Sequence, residues 1–98
     1  MLEQFKALAS DVRLEMLHWL KDPAENFPPT HAPNGWADGV CVTHIQQKAG
    51  LSPSTTSNHL AVLQRAGLVT TTRIGQWTYC RRNEQAIGEL STRLQKDL

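Results

Sequence analysis

The sequence has few of the features that mark secreted or membrane-spanning proteins. Its 98 residues include only two cysteines, Cys41 and Cys80, which are too few to frame a secreted fold with disulfide bonds. No apolar run approaches the roughly 18 residues that cross a bilayer, and the N-terminus, with Glu3, lacks the apolar segment of a signal peptide. We therefore predict a single domain over residues 1–98, in a reducing cytoplasm and without a membrane partner.

Signatures of an enzyme or of a bound cofactor are also missing. The sequence contains no glycine-rich phosphate loop, no nucleophile elbow and no paired carboxylates in an apolar context. Its histidines and cysteines are scattered, without the spacing of a base and a nucleophile. We expect neither catalysis nor a cofactor.

Acidic residues are absent from one long part of the chain. Residues 39–83 contain no Asp or Glu but do contain Lys48, Arg65, Arg73, Arg81 and Arg82, although the net charge of the whole chain is only +1. A segment without carboxylates can lie against a polyanion without like-charge repulsion. Composition alone leaves chance as an equally good explanation.

Apolar spacing predicts two helices before residue 22. The first runs from Leu2 to Ala9, and the second follows an N-cap at Ser10 and runs to about Lys21. Residues 22–39 contain four of the five prolines and no periodic pattern. They are predicted to form an irregular proline-rich loop, which Phe27 and Trp36 anchor to the body of the protein.

Residues 40–66 predict a short strand and two helices joined by a tight turn. Val40 to Val42 is the candidate strand, and the Thr43–Gln46 spacing matches a capping box, which places the start of the next helix at Thr43. Gly50 ends that helix. Ser52-Pro53 is a strong start signal for a further helix, which is predicted from Pro53 to Ala66.

A β-hairpin and a last helix follow. The strands Leu68–Ile74 and Trp77–Arg82 are separated by Gly75-Gln76, which suits a type II′ turn. Asn83 can cap a last helix that carries Ile87, Leu90 and Leu94 on one face. The predicted fold is mainly α, with five helices and a small β-hairpin wing, which is the order of a winged helix-turn-helix.

The helix from Pro53 presents chemistry suited to DNA. Thr56, Leu60 and Leu63 form its inward stripe, and short hydroxyl and amide side chains crowd its N-terminal half. An α-helix fits the major groove, and such side chains can bond base edges and phosphates without holding the helix away. The predicted DNA-binding residues of the helix-turn-helix and the wing are Thr43, Lys48, Ser52, Ser54, Thr55, Ser57, Asn58, His59, Arg65, Arg73 and Gln76.

Three segments of this region resemble the recognition helix and wing of ArsR/SmtB-type repressors: Gly50–Leu60, Leu63–Val69 and Arg73–Tyr79. Leu8–Leu17 is similar to the junction of that family's first two helices. The resemblance covers nearly the whole chain except residues 22–38. It implies a homodimer, built from the first and last helices, that binds a palindromic double-stranded DNA operator. It also implies repression in the free state and release by a signal.

The sequence departs from that family at its metal-sensing positions. Of the Cys-x-Cys-Asp box before the turn only Cys41 is present, because Thr43 and His44 stand at the second cysteine and at the aspartate. The last helix has neither histidine nor cysteine. We therefore predict no metal site. Release from DNA must then come from a small-molecule effector, from oxidation of Cys41 as the candidate sensor residue, or from no signal at all. Thr56 stands where the family usually has valine, so its hydroxyl is expected to bond a backbone carbonyl.

Two other functions stay open at this point. A metal- or thiol-responsive sensor could use Cys41, with His44, His31 and Asp38 as further ligands. Cys80 lies a whole helix-turn-helix away in sequence and is predicted to serve packing. The second alternative is a winged-helix module that binds protein rather than DNA. The carboxylate-free residues 39–83 argue against that module, and a salt-dependent gel shift distinguishes it from a DNA-binding protein.

Overall fold

A computed structural model describes residues 1–98 and contains six helices and three strands. None of the six helices has the combination of length and hydropathy that a membrane span requires. In chain order the elements are α1 (Leu2–Leu8), α2 (Asp11–Lys21), α3 (Pro23–Asn26), β1 (Val40–Cys41), α4 (Val42–Ala49), α5 (Pro53–Arg65), β2 (Val69–Ile74), β3 (Trp77–Arg82) and α6 (Glu84–Asp97). The helix pair α4–α5 followed by the β2–β3 hairpin is the predicted winged helix-turn-helix order.

Three of the predicted helix starts are confirmed by their caps. The Ser10 Oγ accepts from the Arg13 backbone N–H at 3.2 Å, and Asn83 Oδ1 accepts from the Ala86 N–H at 3.1 Å. The Ser52 Oγ accepts from the Thr55 N–H at 3.2 Å. Each cap satisfies one of the N–H groups that a helix leaves without an internal partner at its start.

Three predictions about the helices and strands are wrong. The capping box at Thr43 does not form, because Cys41 is the N-cap of α4 and Thr43 already lies in its first turn. The strand β1 ends at Cys41, so Val42 belongs to the helix instead. The structure has one helix more than the five predicted. This additional helix is the single turn α3, which begins at Pro23 inside the segment predicted to be irregular. A proline fits the first position of a helix, because its missing N–H has no internal partner there.

The wing is part of a three-stranded antiparallel sheet with the order β1-β3-β2. The hairpin pairs Ile74 with Trp77 across Gly75-Gln76, and the positive φ of Gly75, 61°, is what the first central position of a type II′ turn needs. The pairing of β1 with β3, Val40 opposite Cys80, joins the start of α4 to the wing. Sequence reasoning missed that pairing.

One hydrophobic core joins every helix and strand except α3. Its buried members include Ala7 of α1, Met16 of α2 and Leu90 of α6, and Phe27 and Trp36 anchor the proline-rich segment to it as predicted. Leu90 is the only buried residue of the 14-residue helix α6. Arg82 fastens the start of α6, since its guanidinium donates to Glu84 Oε1 at 2.9 Å and to the Leu17 carbonyl at 3.3 Å.

The hydroxyl of Thr56 is buried without a partner. The side chain is fully buried beside Leu60 and Leu63 on the inward stripe of α5, which confirms the predicted stripe. Its Oγ1, however, makes no hydrogen bond, so the expected bond to a backbone carbonyl is absent. An unsatisfied buried hydroxyl costs about 1–3 kcal/mol.

Thr56→Val is therefore expected to stabilise the protein by about 1 kcal/mol, because valine keeps the shape of threonine and removes the unpaired hydroxyl. Denaturant unfolding followed by circular dichroism measures the change. Thr56→Ser is the matched control, since it keeps the hydroxyl, loses the buried methyl and should be less stable by about 1 kcal/mol. A destabilised valine variant would mean that the hydroxyl has a partner.

Candidate nucleic-acid interface

The helix α5 presents one polar side to solvent while its other side is buried in the core. Thr56, Leu60 and Leu63 are buried, and the residues on the opposite side, Ser54 and Asn58, are exposed. This division follows from the helical period, since residues three and four apart share a side. The core therefore fixes the direction in which the polar side of α5 faces.

A chain of hydroxyls lies at the N-terminal end of α5. The Ser52 hydroxyl donates to Thr55 Oγ1 at 2.9 Å, and it lies 3.4 Å from the Ser54 Oγ. Because the Thr55 oxygen accepts this bond, its own proton stays available to an acceptor outside the chain. The backbone N–H groups of this first helical turn give the same end a partial positive charge.

The middle of the exposed side carries side chains that have no partner within the chain. Ser57 and Asn58 are exposed and make no side-chain hydrogen bond, and Arg65 at the end of the helix is exposed too. The Asn58 amide keeps two donors and an acceptor, which is the set that a bidentate contact to adenine uses.

His59 lies at the edge of the exposed side of α5, and a side chain of α2 contacts its ring. The ring is half-buried, and its Nδ1 lies 3.1 Å from Nη1 of Arg13 on α2. Sequence reasoning missed this contact, because no periodic pattern relates two residues that are 46 positions apart.

The tip of the wing is exposed. Arg73 donates through Nε to the Gly75 carbonyl at 3.1 Å, which leaves the two terminal nitrogens of the guanidinium free. Gln76 is exposed in the turn, and Trp77 is 37% exposed at the start of β3. The tip therefore offers two donor groups on a short, tightly turned hairpin.

Two of the predicted DNA-binding residues are not part of these clusters. The Lys48 ammonium at the end of α4 lies over the rings of Trp19 and Phe27, at 5.3 and 5.9 Å from their centroids. Thr43 is exposed on the first turn of α4 and does not cap it. The side chains that come together are those of α5 and of the wing tip.

The proline-rich segment is attached to the wing by a histidine. His31 Nδ1 lies 2.9 Å from the hydroxyl of Tyr79 on β3, and its ring packs 4.7 Å from Trp77 and 5.8 Å from His44. Burial, followed by the charges of Cys41 and Asp38, raises the pKa of Tyr79, so the phenol stays protonated at neutral pH. A histidine in a segment without periodicity gives no signal from which sequence reasoning could place it.

The two cysteines lie on neighbouring strands, although they are far apart in sequence. Cys41 pairs with Tyr79, and Val40 pairs with Cys80, so the two thiols point to opposite faces of the sheet. Both are free and buried. Cys80 belongs to the core, as predicted, and burial raises the pKa of its thiol from 9.0 to about 12, which keeps it protonated and unreactive at neutral pH. No three His, Cys, Asp or Glu side chains come together as a metal site would need.

Comparison with known proteins places this arrangement in a family. The family described as "bacterial regulatory protein, arsR family" matches residues 40–71, which include α4, α5 and the start of the wing. An uncharacterized HTH-type transcriptional regulator, YbzH of Bacillus subtilis, is 42% identical over 97 residues, covering 99% of this chain and 97% of its own length.

Solved structures show the same fold. The homodimeric winged helix-turn-helix DNA-binding domain of a possible ArsR-family transcriptional regulator from Mycobacterium bovis is 26% identical, with a TM-score of 0.66 over 95% of this chain and 72% of that one. HlyU from Vibrio cholerae is 30% identical, with a TM-score of 0.63 over 95% of this chain and 88% of that one. With these relatives and its α4–α5 helix pair followed by a wing, the chain belongs to the ArsR family of transcriptional regulators.

Proposed function

We propose that the protein binds double-stranded DNA in a sequence-specific way, as a homodimer on a palindromic operator, and represses transcription there. The observation that carries the proposal is the exposed side of α5, where Ser54, Thr55, Ser57 and Asn58 stand with hydroxyl and amide groups available. Such a helix can enter the major groove and bond base edges. The absence of any Asp or Glu from residues 39–83 leaves this side without a carboxylate that would repel phosphate.

The roles of the individual residues follow from their positions. Ser54, Thr55, Ser57 and Asn58 read bases from the major groove. Ser52 caps α5 and orders the hydroxyls around it, while His59, Arg65, Arg73 and Gln76 bind the phosphate backbone beside the groove. Thr43 and Lys48 are expected to contribute less to DNA binding. The Lys48 ammonium is held over aromatic rings within the chain. Thr43 lies on the first turn of α4, outside the side chains that α5 and the wing tip bring together.

A dimer is supported by apolar side chains that the single chain leaves uncovered. Leu2 and Phe5 of α1 are 66% and 37% exposed, Leu14 of α2 is 48% exposed, and Leu98 after α6 is 91% exposed. The helix α6 buries only Leu90 within the chain. The structural relative from Mycobacterium bovis is homodimeric. We therefore place the dimer interface on α1 and α6.

A small molecule is one candidate for the signal that releases the protein from DNA. Cys41 is the candidate sensor of the alternative, thiol-responsive regulator, but its side chain is 2% exposed, so an oxidant reaches it only after the edge of the sheet opens. A metal-responsive regulator would need ligands beyond those that the chain brings together.

We expect the protein to select a palindromic duplex from a random library, with half-site centres about 34 Å apart, one turn of DNA. Because Lys and Arg side chains replace counterions on the phosphates, its affinity should fall at least tenfold between about 50 and 200 mM salt. Gel shift and sedimentation measure the affinity and the subunit number. A monomer, or a protein that retains no duplex at low salt, would contradict the proposal, and the latter would favour a protein-binding module.

A further inference from the structure

The side chain of Arg13 contacts both α1 and α5, two helices that the proposed function uses. It projects from α2, where Nε donates to the Ala7 carbonyl at 2.6 Å and Nη2 donates to the Lys6 carbonyl at 3.3 Å. Both carbonyls belong to the last turn of α1, where the Lys6 oxygen also accepts from the Ala9 N–H at 3.3 Å. The third nitrogen, Nη1, lies 3.1 Å from Nδ1 of His59 on α5.

The chemistry of the pair decides where the proton of His59 sits. A guanidinium is always protonated and has only donors, so Nδ1 of His59 must be the acceptor in this contact. A neutral imidazole with an unprotonated Nδ1 carries its proton on Nε2. A doubly protonated ring would turn an N–H toward the guanidinium and lose the bond. Arg13 therefore favours the tautomer of His59 that has its donor at Nε2.

The position of His59 shows what that donor can meet. The residue follows Thr55 by one helical turn and lies at the half-buried edge between the buried stripe and the exposed side of α5. When a helix lies in the major groove, its edges face the phosphates that border the groove. A phosphate oxygen accepts hydrogen bonds and does not donate them, so it matches an Nε2–H group.

We infer that Arg13 is a positioning residue for DNA binding, which anchors His59 to the end of α1 and fixes its ring as an Nε2–H donor to an operator phosphate. The contact between His59 and the phosphate rests on the proposed function. The tautomer itself is a property of the free protein. The same contact ties α5 to α1, the helix that we place in the dimer interface.

The tautomer is tested first, in the free protein. At a pH where histidine is neutral, long-range proton–nitrogen NMR should show an unprotonated Nδ1 and a protonated Nε2 for His59. Arg13→Met keeps the aliphatic part of the side chain but removes every donor, and should turn the ring into a mixture of both tautomers. A wild-type ring with its proton on Nδ1, or a ring that Arg13→Met leaves unchanged, overturns the inference.

The contribution to DNA binding is tested with variants of His59 itself. In His59→Gln the amide reaches the place of Nε2, so the affinity for the selected duplex should stay within about threefold of wild type. In His59→Asn the amide reaches only the place of Nδ1, and the affinity should fall about tenfold, as expected for one lost hydrogen bond to a charged group. Equal affinities of the two variants contradict a phosphate contact through Nε2.

A double-mutant cycle distinguishes positioning from a general loss of structure. Arg13→Met should weaken binding about tenfold in the wild-type protein and hardly at all in the His59→Asn background, because it acts through the ring. Equal losses in both backgrounds overturn the inference, while sedimentation checks that every variant keeps the dimer. If the wild-type protein binds no duplex at low salt, the proposed function fails, and the phosphate contact fails with it, whereas the NMR result still decides the tautomer.

Discussion

Gly39→Ala is expected to lower the free energy of unfolding by about 4 kcal/mol, which is a large part of the stability of a small domain. Gly39 has φ = 99°, a conformation that residues with a side chain rarely adopt. A Cβ at this position would also overlap the backbone carbonyl of Cys80. The alanine variant must therefore both adopt a strained backbone and push β1 away from β3.

The effect is large because the neighbouring atoms are backbone atoms of a paired strand. Val40, the next residue, pairs with Cys80, and Gly39 itself donates its N–H to the Trp36 carbonyl at 3.0 Å. The pairing of Val40 with Cys80 cannot move without separating the start of α4 from the wing. Strain at such a φ and overpacking each cost about 1–3 kcal/mol, and here they add.

Gly35→Ala is the matched control for this variant. Gly35 lies in the same segment and also has a positive φ, 64°, but no atom lies within 4 Å of the place of its Cβ. It should lose only about 1 kcal/mol, the cost of the left-handed conformation. Thermal or denaturant unfolding compares the two variants. Similar losses in both would mean that Gly39 is needed only for its φ and that β1 can move aside.

The local parts of the fold could be predicted from the sequence, because each depends on residues within one turn of the chain. The caps at Ser10, Ser52 and Asn83 and the turn at Gly75 are of this kind. The capping box at Thr43 failed although its residues match the pattern, because the pairing of β1 with β3 decides where α4 begins. A long-range contact overrode a local preference.

The candidate site likewise has residues that the sequence predicts and contacts that only the structure shows. The exposed residues of α5 follow from helical periodicity, so Ser54, Ser57 and Asn58 could be named from the sequence. The contacts that hold the site, Arg13 with His59 and His31 with Tyr79, join residues 46 and 48 positions apart. No spacing rule reaches that far, and only the packing of the elements shows them.

Asn58→Ala should cause the largest change in DNA recognition, a loss of roughly 1–3 kcal/mol per half-site on the preferred duplex. The residue stands on the exposed side of α5, and no group within the chain uses its amide. Alanine removes the donor and the acceptor together, so the variant should also discriminate less between bases at the position that Asn58 reads.

Arg73→Ala is the matched comparison at the wing. Its guanidinium already donates to the Gly75 carbonyl, and the nitrogens that remain free suit a phosphate rather than a base. The variant should weaken binding to all duplexes alike and lower the salt dependence by about one unit of slope per subunit. Base preference should stay as in the wild type.

Gel shifts with the selected duplex, with single-base variants of it and with an unrelated duplex, over a range of salt, measure both effects. The two variants differ in kind as well as in size, because a base contact changes the ratio of affinities and a phosphate contact changes their common level. If Asn58→Ala leaves affinity and base preference untouched, then α5 does not lie in the major groove in the orientation that its exposed side predicts. If Arg73→Ala instead alters base preference, the wing reads sequence, and recognition must be assigned to the hairpin as well as to the helix.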